Sequence, residues 1–217
     1  MKNKVLKELD AVGGIIFVAS YNISCLEYMI MDDENKKKEI TQRFIFMRVA
    51  LNSIWSITIL ELNKLFSSSQ KDRFRLTSFI NRLINNYMNI EWKKNMSLER
   101  LQEIKAKIEN YKDKIKMIKT LRDKQIAHKE FLSSPLYLTL KDIKPLLILC
   151  QDIYNDLSLA LTDGTTIWKL SESENIHAVV VSLSKYQRIK ELTYQNIANQ
   201  NESIHTEELI KIVRAHS

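Results

Sequence analysis

Glycine and proline are nearly missing from this chain. Its 217 residues include three Gly and two Pro, too few to supply the tight turns of a sandwich, a barrel or a doubly wound sheet. An all-α fold is the expectation. Hydrophobic residues make up 45% and charged residues 27%, the balance of an ordinary globular protein. A chain of this length buries roughly two-thirds of its unfolded surface and needs no disulfide staple.

Apolar periodicity places the helices. Leu6, Leu9, Val12, Ile16, Ala19, Ile23, Leu26 and Ile30 recur at three- and four-residue spacing and predict a helix from about residue 3 to 31. Gly13 and Gly14 each cost roughly 1 kcal/mol against alanine in a helix interior, so a kink or a close helix contact is expected there. The stripe from Ile40 through Met47, Leu51, Trp55 and Thr58 to Leu65 predicts a second helix over 36–66, and Phe79, Leu83 and Tyr87 a third over 76–90. Ser97 is a candidate N-cap for a fourth helix, whose unbroken pattern runs past residue 126 towards Pro135.

Thr139 with Asp142 offers a cap for a fifth helix ending at Asp163-Gly164. Pro145 falls late for a first-turn position, so that helix is expected to start near residue 144. Val179, Val180, Leu183, Tyr186 and Ile189 predict a further helix, and Thr206 to Lys211 a short last one, with the polar stretch Gln195 to Ser203 between them expected to be mobile. Residues 1–163 therefore read as a bundle of four to five helices and 164–217 as a helical C-terminal appendage.

Several function classes find no support. Cys25 and Cys150 sit in apolar helical patterns, and neither they nor His128, His177, His205 and His216 show the close spacing of a zinc site. Gly-rich phosphate loops are missing. No basic leader followed by an apolar stretch opens the sequence, and the apolar run Val12 to Ala19 is too short to cross a bilayer. A reduced, cytoplasmic protein without metal, cofactor or membrane partner is expected.

Charge is concentrated in one place. Residues 93–129 hold twelve bases against five acids, which accounts for the whole formal charge of +7. This is either a solvated helix face carrying pairs such as Glu103 with Lys107 or a basic track whose affinity for a polyanion would depend on salt. Within it stands Leu121-Arg122-Asp123-Lys124-Gln125-Ile126-Ala127-His128-Lys129-Glu130. The motif resembles the R-x4-6-H signature of HEPN domains, and its Arg-Asp-Lys-x-x-Ala-His form is most similar to the AbiU2-type HEPN proteins of phage-defence systems. The resemblance implies a four- or five-helix bundle, usually a homodimer, often a metal-independent endoribonuclease toxin restrained by a cognate antitoxin protein. Many toxins of this class carry Tyr two residues after the His as a target for nucleotide modification; Glu130 stands there instead, which argues against that form of control.

The residue types suit RNA cleavage. The 2′-hydroxyl is an internal nucleophile, so the reaction needs a proton-transfer group near neutrality and a cation for the phosphate. His128 titrates in that range, and Arg122 offers a planar fork that stays charged. Asp123 is a candidate to orient either one, and Lys119, Lys124 and Lys129 are candidate RNA contacts. The products would be a 2′,3′-cyclic phosphate and a 5′-hydroxyl. Six residues at ~100° each set Arg122 and His128 about 120° apart on a regular helix. One phosphate meets both only if the helix is distorted near Ala127 or if two copies of the motif meet across a two-fold axis.

The alternative is a non-catalytic helical interaction module that binds a partner protein or nucleic acid through the basic helix. Glu61 and Asn63 are weaker groove candidates. Trp55, Trp92 and Trp168 read as packing residues.

Overall fold

The computed structural model describes residues 2–30, 44–67, 75–127, 138–168 and 173–199. Among these the chain is all helical and without strands. It forms α1 (Lys2–Ile30), α2 (Ile45–Phe66), α3 (Leu76–Asn85), α4 (Leu98–Glu109), α5 (Lys112–Thr120), α6 (Leu140–Thr162) and α7 (Ser173–Asn199). A 3-10 turn follows α3 at Tyr87–Asn89, and a π-helical segment, Leu121–Ala127, follows α5. Two compact units are present: Met1–Leu26 with Leu51–Leu170, and Glu27–Ala50 with Ser171–Ser217.

The first unit is built around α1. Of the stripe read from the sequence, Leu9, Val12, Ile16, Ala19, Ile23 and Leu26 are buried, while Leu6 is half-buried and Ile30 is exposed. The buried ones pack in one core with Ile59, Leu62 and Leu65 of α2, Phe79, Ile80 and Leu83 of α3, Leu101 and Ile104 of α4, and the inner face of α6 from Ile143 to Leu161. Each such side chain contributes roughly 1.5–3 kcal/mol of transfer free energy. Polar ties add register. Ser20 Oγ donates to the Ile16 carbonyl at 2.7 Å and accepts from Gln151 Nε2 of α6 at 2.8 Å, while Arg82 of α3 reaches Glu8 Oε2 of α1 at 2.7 Å.

α1 runs unbroken through Gly13 and Gly14. Gly13 permits a close helix contact: a Cβ there would lie 2.7 Å from the Tyr154 ring of α6, which is packed edge-on against Trp168 with centroids 5.2 Å apart. Nothing lies within 4 Å of the corresponding point on Gly14.

The fourth helix is not the single rod that its apolar stripe predicts. It ends at Glu109, Asn110 caps it, and α5 restarts at Lys112. The Tyr111 N–H bonds back only three residues, to the Ile108 carbonyl at 3.0 Å. An interior Asn is a poor helix former, because its side chain competes for backbone hydrogen bonds, whereas the stripe of Ile108, Tyr111 and Ile115 passes through the break without a signal. Ser97 Oγ accepts from the Arg100 N–H at 3.1 Å and starts α4 as expected.

The start of α6 also differs from the reading. The helix begins at Leu140, where Asp142 Oδ2 accepts from the Thr139 backbone N–H (3.0 Å) and hydroxyl (2.7 Å). This cap outweighs Pro145, whose missing N–H leaves one carbonyl, that of the exposed Lys141, without its helical partner. At the other end the left-handed residue is Asp163 (φ 66°) rather than Gly164.

The segment of residues 93–114 lies antiparallel along α6. Its register is marked by Lys94 with Asp163 (3.2 Å), Arg100 with Asp156 (2.6 Å) and Lys114 with Asp142 (3.8 Å). The Lys93 and Lys94 N–H groups donate to the Ala160 carbonyl at 2.7 and 3.2 Å.

In the second unit, Met29, Met47 and Leu192 are buried. α7 continues through Gln195 to Asn199, part of the stretch expected to be mobile. Residues 200–217, including the short last helix expected at Thr206 to Lys211, lie outside the described residues. Tyr186, on the stripe that predicted α7, is 58% exposed. By length and composition α1 and α2 are each apolar enough to cross a bilayer, with mean hydropathy of 1.5 and 1.4 in their richest windows. The α1 window is mostly buried in the protein, as a core helix is, and the α2 window mostly is not.

Two outcomes follow. Gly13→Ala is expected to destabilise the protein by about 1–2 kcal/mol, because the Tyr154 ring has to move off Trp168, while Gly14→Ala stabilises it by about 0.5–1 kcal/mol; urea unfolding of the pair measures both. Asp142→Ala is expected to cost about 1 kcal/mol at neutral pH. The hydroxyl and N–H of Thr139 hold the Asp142 carboxyl below the usual carboxylate range. Its stabilisation is therefore complete above the unfolded value near 4 and is lost as pH falls through the lower folded value, so the two unfolding curves should converge on acidification.

Candidate functional site

The motif begins where α5 changes pitch. Leu121, buried at 4% exposure, belongs to the core, and from it the backbone widens into the π-helical segment Leu121–Ala127. π turns are rare and are frequently found at functional sites. Six of the motif's residues after Leu121 lie in this segment, from Arg122 to Ala127. His128 and Lys129 lie outside the described residues.

Arg122 is half-buried, and its Nε is 2.8 Å from Asp123 Oδ1. The contact is ionic but not aligned as a hydrogen bond. Nε is thus a buried donor without an accepting partner among the described residues. Such a donor costs free energy wherever it occurs; Asn22 Nδ2 and Trp168 Nε1 share the condition. Asp123 lies against Arg122; its other candidate partner, His128, lies outside the described residues. Lys119 and Lys124 are both exposed, on the last turn of α5 and on the π segment.

Bases of this arm divide by environment. Those along α6 are paired: Lys94, Arg100 and Lys114. The hydrogen bond to Asp156 holds the Arg100 guanidinium above its usual value. Lys105, Lys107, Lys112, Lys116 and Lys124 make no ion pair among the described residues and are exposed. Lys112 and Lys116 fall on one stripe with Lys119, at i, i+4 and i+7, and sequence reading counted them without singling them out. Spacing alone shows that stripe, but which side of α5 faces water is seen only once Ile118 is buried and Lys114 is tied to α6.

The weaker candidates settle into packing roles. Glu61 pairs with Lys64 at 2.6 Å, and Asn63 is buried. Trp55 packs on the core, Trp92 donates from Nε1 to the Tyr87 carbonyl at 3.3 Å, and Trp168 meets Tyr154. Both cysteines are buried free thiols, and burial pushes the Cys150 thiol well up, away from reactivity. Among the described residues no group of three His, Cys, Asp or Glu comes together.

The AbiU2 family of HEPN domains matches residues 3–181, from the start of α1 into α7. The chain belongs to that family. No curated protein and no solved structure matches it. In this HEPN chain Arg122 of the R-x4-6-H motif stands in the first turn of a π segment, at the end of the most basic helical arm.

Proposed function

We propose that the protein is a metal-independent endoribonuclease of a phage-defence or toxin–antitoxin system, with Arg122 and His128 as its catalytic residues. The observation that carries this reading is the π segment on the motif, with the half-buried Arg122 leaving one donor unsatisfied beside Asp123. Family membership supports it. His128 takes the proton of the 2′-hydroxyl as that oxygen attacks phosphorus, the P–O5′ bond breaks, and the leaving oxygen takes a proton from solvent. Arg122 binds the charge gathering on the phosphate oxygens, and Asp123 positions it. Lys119, Lys124 and Lys129 neutralise flanking phosphates.

Pitch favours a shared site. A π turn holds roughly 4.3 residues, about 84° each, so positions six apart stand about 140° apart, against about 120° in an α-helix. In neither pitch do Arg122 and His128 share a stripe. The reading is therefore a homodimer in which each site takes Arg122 from one copy and His128 from the other. A cytoplasmic RNA substrate and a restraining antitoxin protein complete the proposal.

The test is cleavage of a labelled structured RNA in EDTA. His128→Ala is expected to lose about 10²-fold or more, Arg122→Ala about 10²–10³-fold, and Arg122→Lys to recover little of it because the fork is gone. Products should carry cyclic-phosphate and 5′-hydroxyl ends. Mixing the two inactive variants is expected to restore up to about a quarter of wild-type activity, since half of randomly assorted dimers carry one intact site of two. Wild-type and variant proteins showing the same background would reject the nuclease in favour of a binding module. Silence in mixtures shown by mass to contain mixed dimers would reject the shared site.

A further inference from the structure

The nine residues of α5 carry four lysines and one acid, Asp113. Lys114 is tied to Asp142 of α6. Lys112, Lys116 and Lys119 stand on another face, within about 60° of one another over a rise of about 10 Å, and all three are exposed. Lys112 and Lys116 make no ion pair with Asp113 or any other described acid.

This arrangement works against the helix that carries it. Like charges at i, i+4 and i, i+3 repel, and Lys112 opens α5, where the helix dipole disfavours a cation. Lys105 and Lys107 of α4 are also unpaired, but about 160° apart, so they form no stripe. A row of like charges that destabilises its own helix, and leads directly into the π segment, is matched by a ligand with a row of opposite charges.

We infer that the Lys112–Lys116–Lys119 face of α5 is the approach track for a single strand of RNA on one side of the scissile phosphate. The inference rests on the nuclease reading and adds residues and a substrate form to it. Single-stranded RNA is the occupant because attack by the 2′-hydroxyl needs the backbone to leave the regular A-form, which an unpaired strand does freely, and because a face one side chain wide follows one backbone. The track binds phosphates without reading bases.

The experiment uses the full chain with His128→Ala, which binds without cutting, and a fluorescein-labelled single-stranded RNA, with anisotropy read across a salt series. Adding Lys112→Gln and Lys116→Gln is expected to weaken binding about tenfold at moderate salt and to lower the slope of log affinity against log salt by about 1.4, at 0.7 per lost contact. The loss should be equal for unrelated sequences. Lys105→Gln with Lys107→Gln removes the same formal charge and should change the slope by less than half as much. In the cutting-competent chain, the α5 pair should raise KM and leave kcat unchanged.

Equal effects from the two pairs, an unaltered slope as expected if an acidic protein occupies this face, or no RNA binding by the parent protein would each overturn the track. Failure of the nuclease reading is separate. RNA that is bound through α5 but never cut by the wild type leaves the track standing, and cleavage that ignores Lys112 and Lys116 leaves the nuclease standing.

Discussion

α6 packs its Tyr154 ring directly onto α1 at Gly13, and the rest of the first unit is arranged around that contact. The Tyr154 ring occupies the space a Cβ would fill and is held from behind by Trp168. Ser20 and Gln151 add a polar tie within the same helix pair, where a slipped register would leave buried polar groups without partners. With α6 fixed, the arm of residues 93–114 is fixed too, since its ion pairs run in order from Asp163 to Asp142 along that one helix. Exposed pairs of this kind contribute little energy each. Their value is in the alignment, while the burial of Leu101, Ile104 and Ile108 supplies the stability.

That arrangement separates structural charge from available charge. Total charge on the arm does not distinguish a solvated face from a ligand track, but pairing does. Lysines and arginines with an acid across on α6 have their electrostatic partner within the fold. Lys112 and Lys116 on the outer stripe of α5 make no ion pair among the described residues and sit in mutual repulsion. A face that only needed to be soluble would do as well with mixed signs, which stabilise helices as well as solvating them.

The sequence is most informative where one residue type has one physical reason to be present. The α1 stripe, the Ser97 cap and the packing roles of the tryptophans are of this kind, and so is the all-α class itself, since five Gly and Pro residues cannot turn a sheet. Gly13 was legible as a special position, but whether it bends the helix or admits a neighbour depends on Tyr154, which is 141 residues away in sequence. The break at Asn110 was hidden because apolar spacing through it suits both one helix and two. Pro145 misled for a related reason: its local cost is known, but the cap three residues upstream of it outweighs that cost. For the candidate site, the spacing of Arg122 and His128 demanded a distorted helix or a second copy, yet no composition rule distinguishes an α turn from a π turn in advance.

The π segment bears on that choice in a direction opposite to first appearance. A distortion at the motif looks like the device that would bring its two ends together in one chain. Widening the turn lowers the advance per residue, and over six residues this carries the second position past the far side of the axis rather than back towards the first. What the wider turn does align is i with i+4, while Asp123 stays beside Arg122 in an ionic contact of 2.8 Å that leaves the buried Nε donor without an aligned acceptor among the described residues. For the proposed nuclease, the distortion acts on the Arg122 end of the motif, and a two-fold axis is the arrangement that would supply the histidine from a second copy.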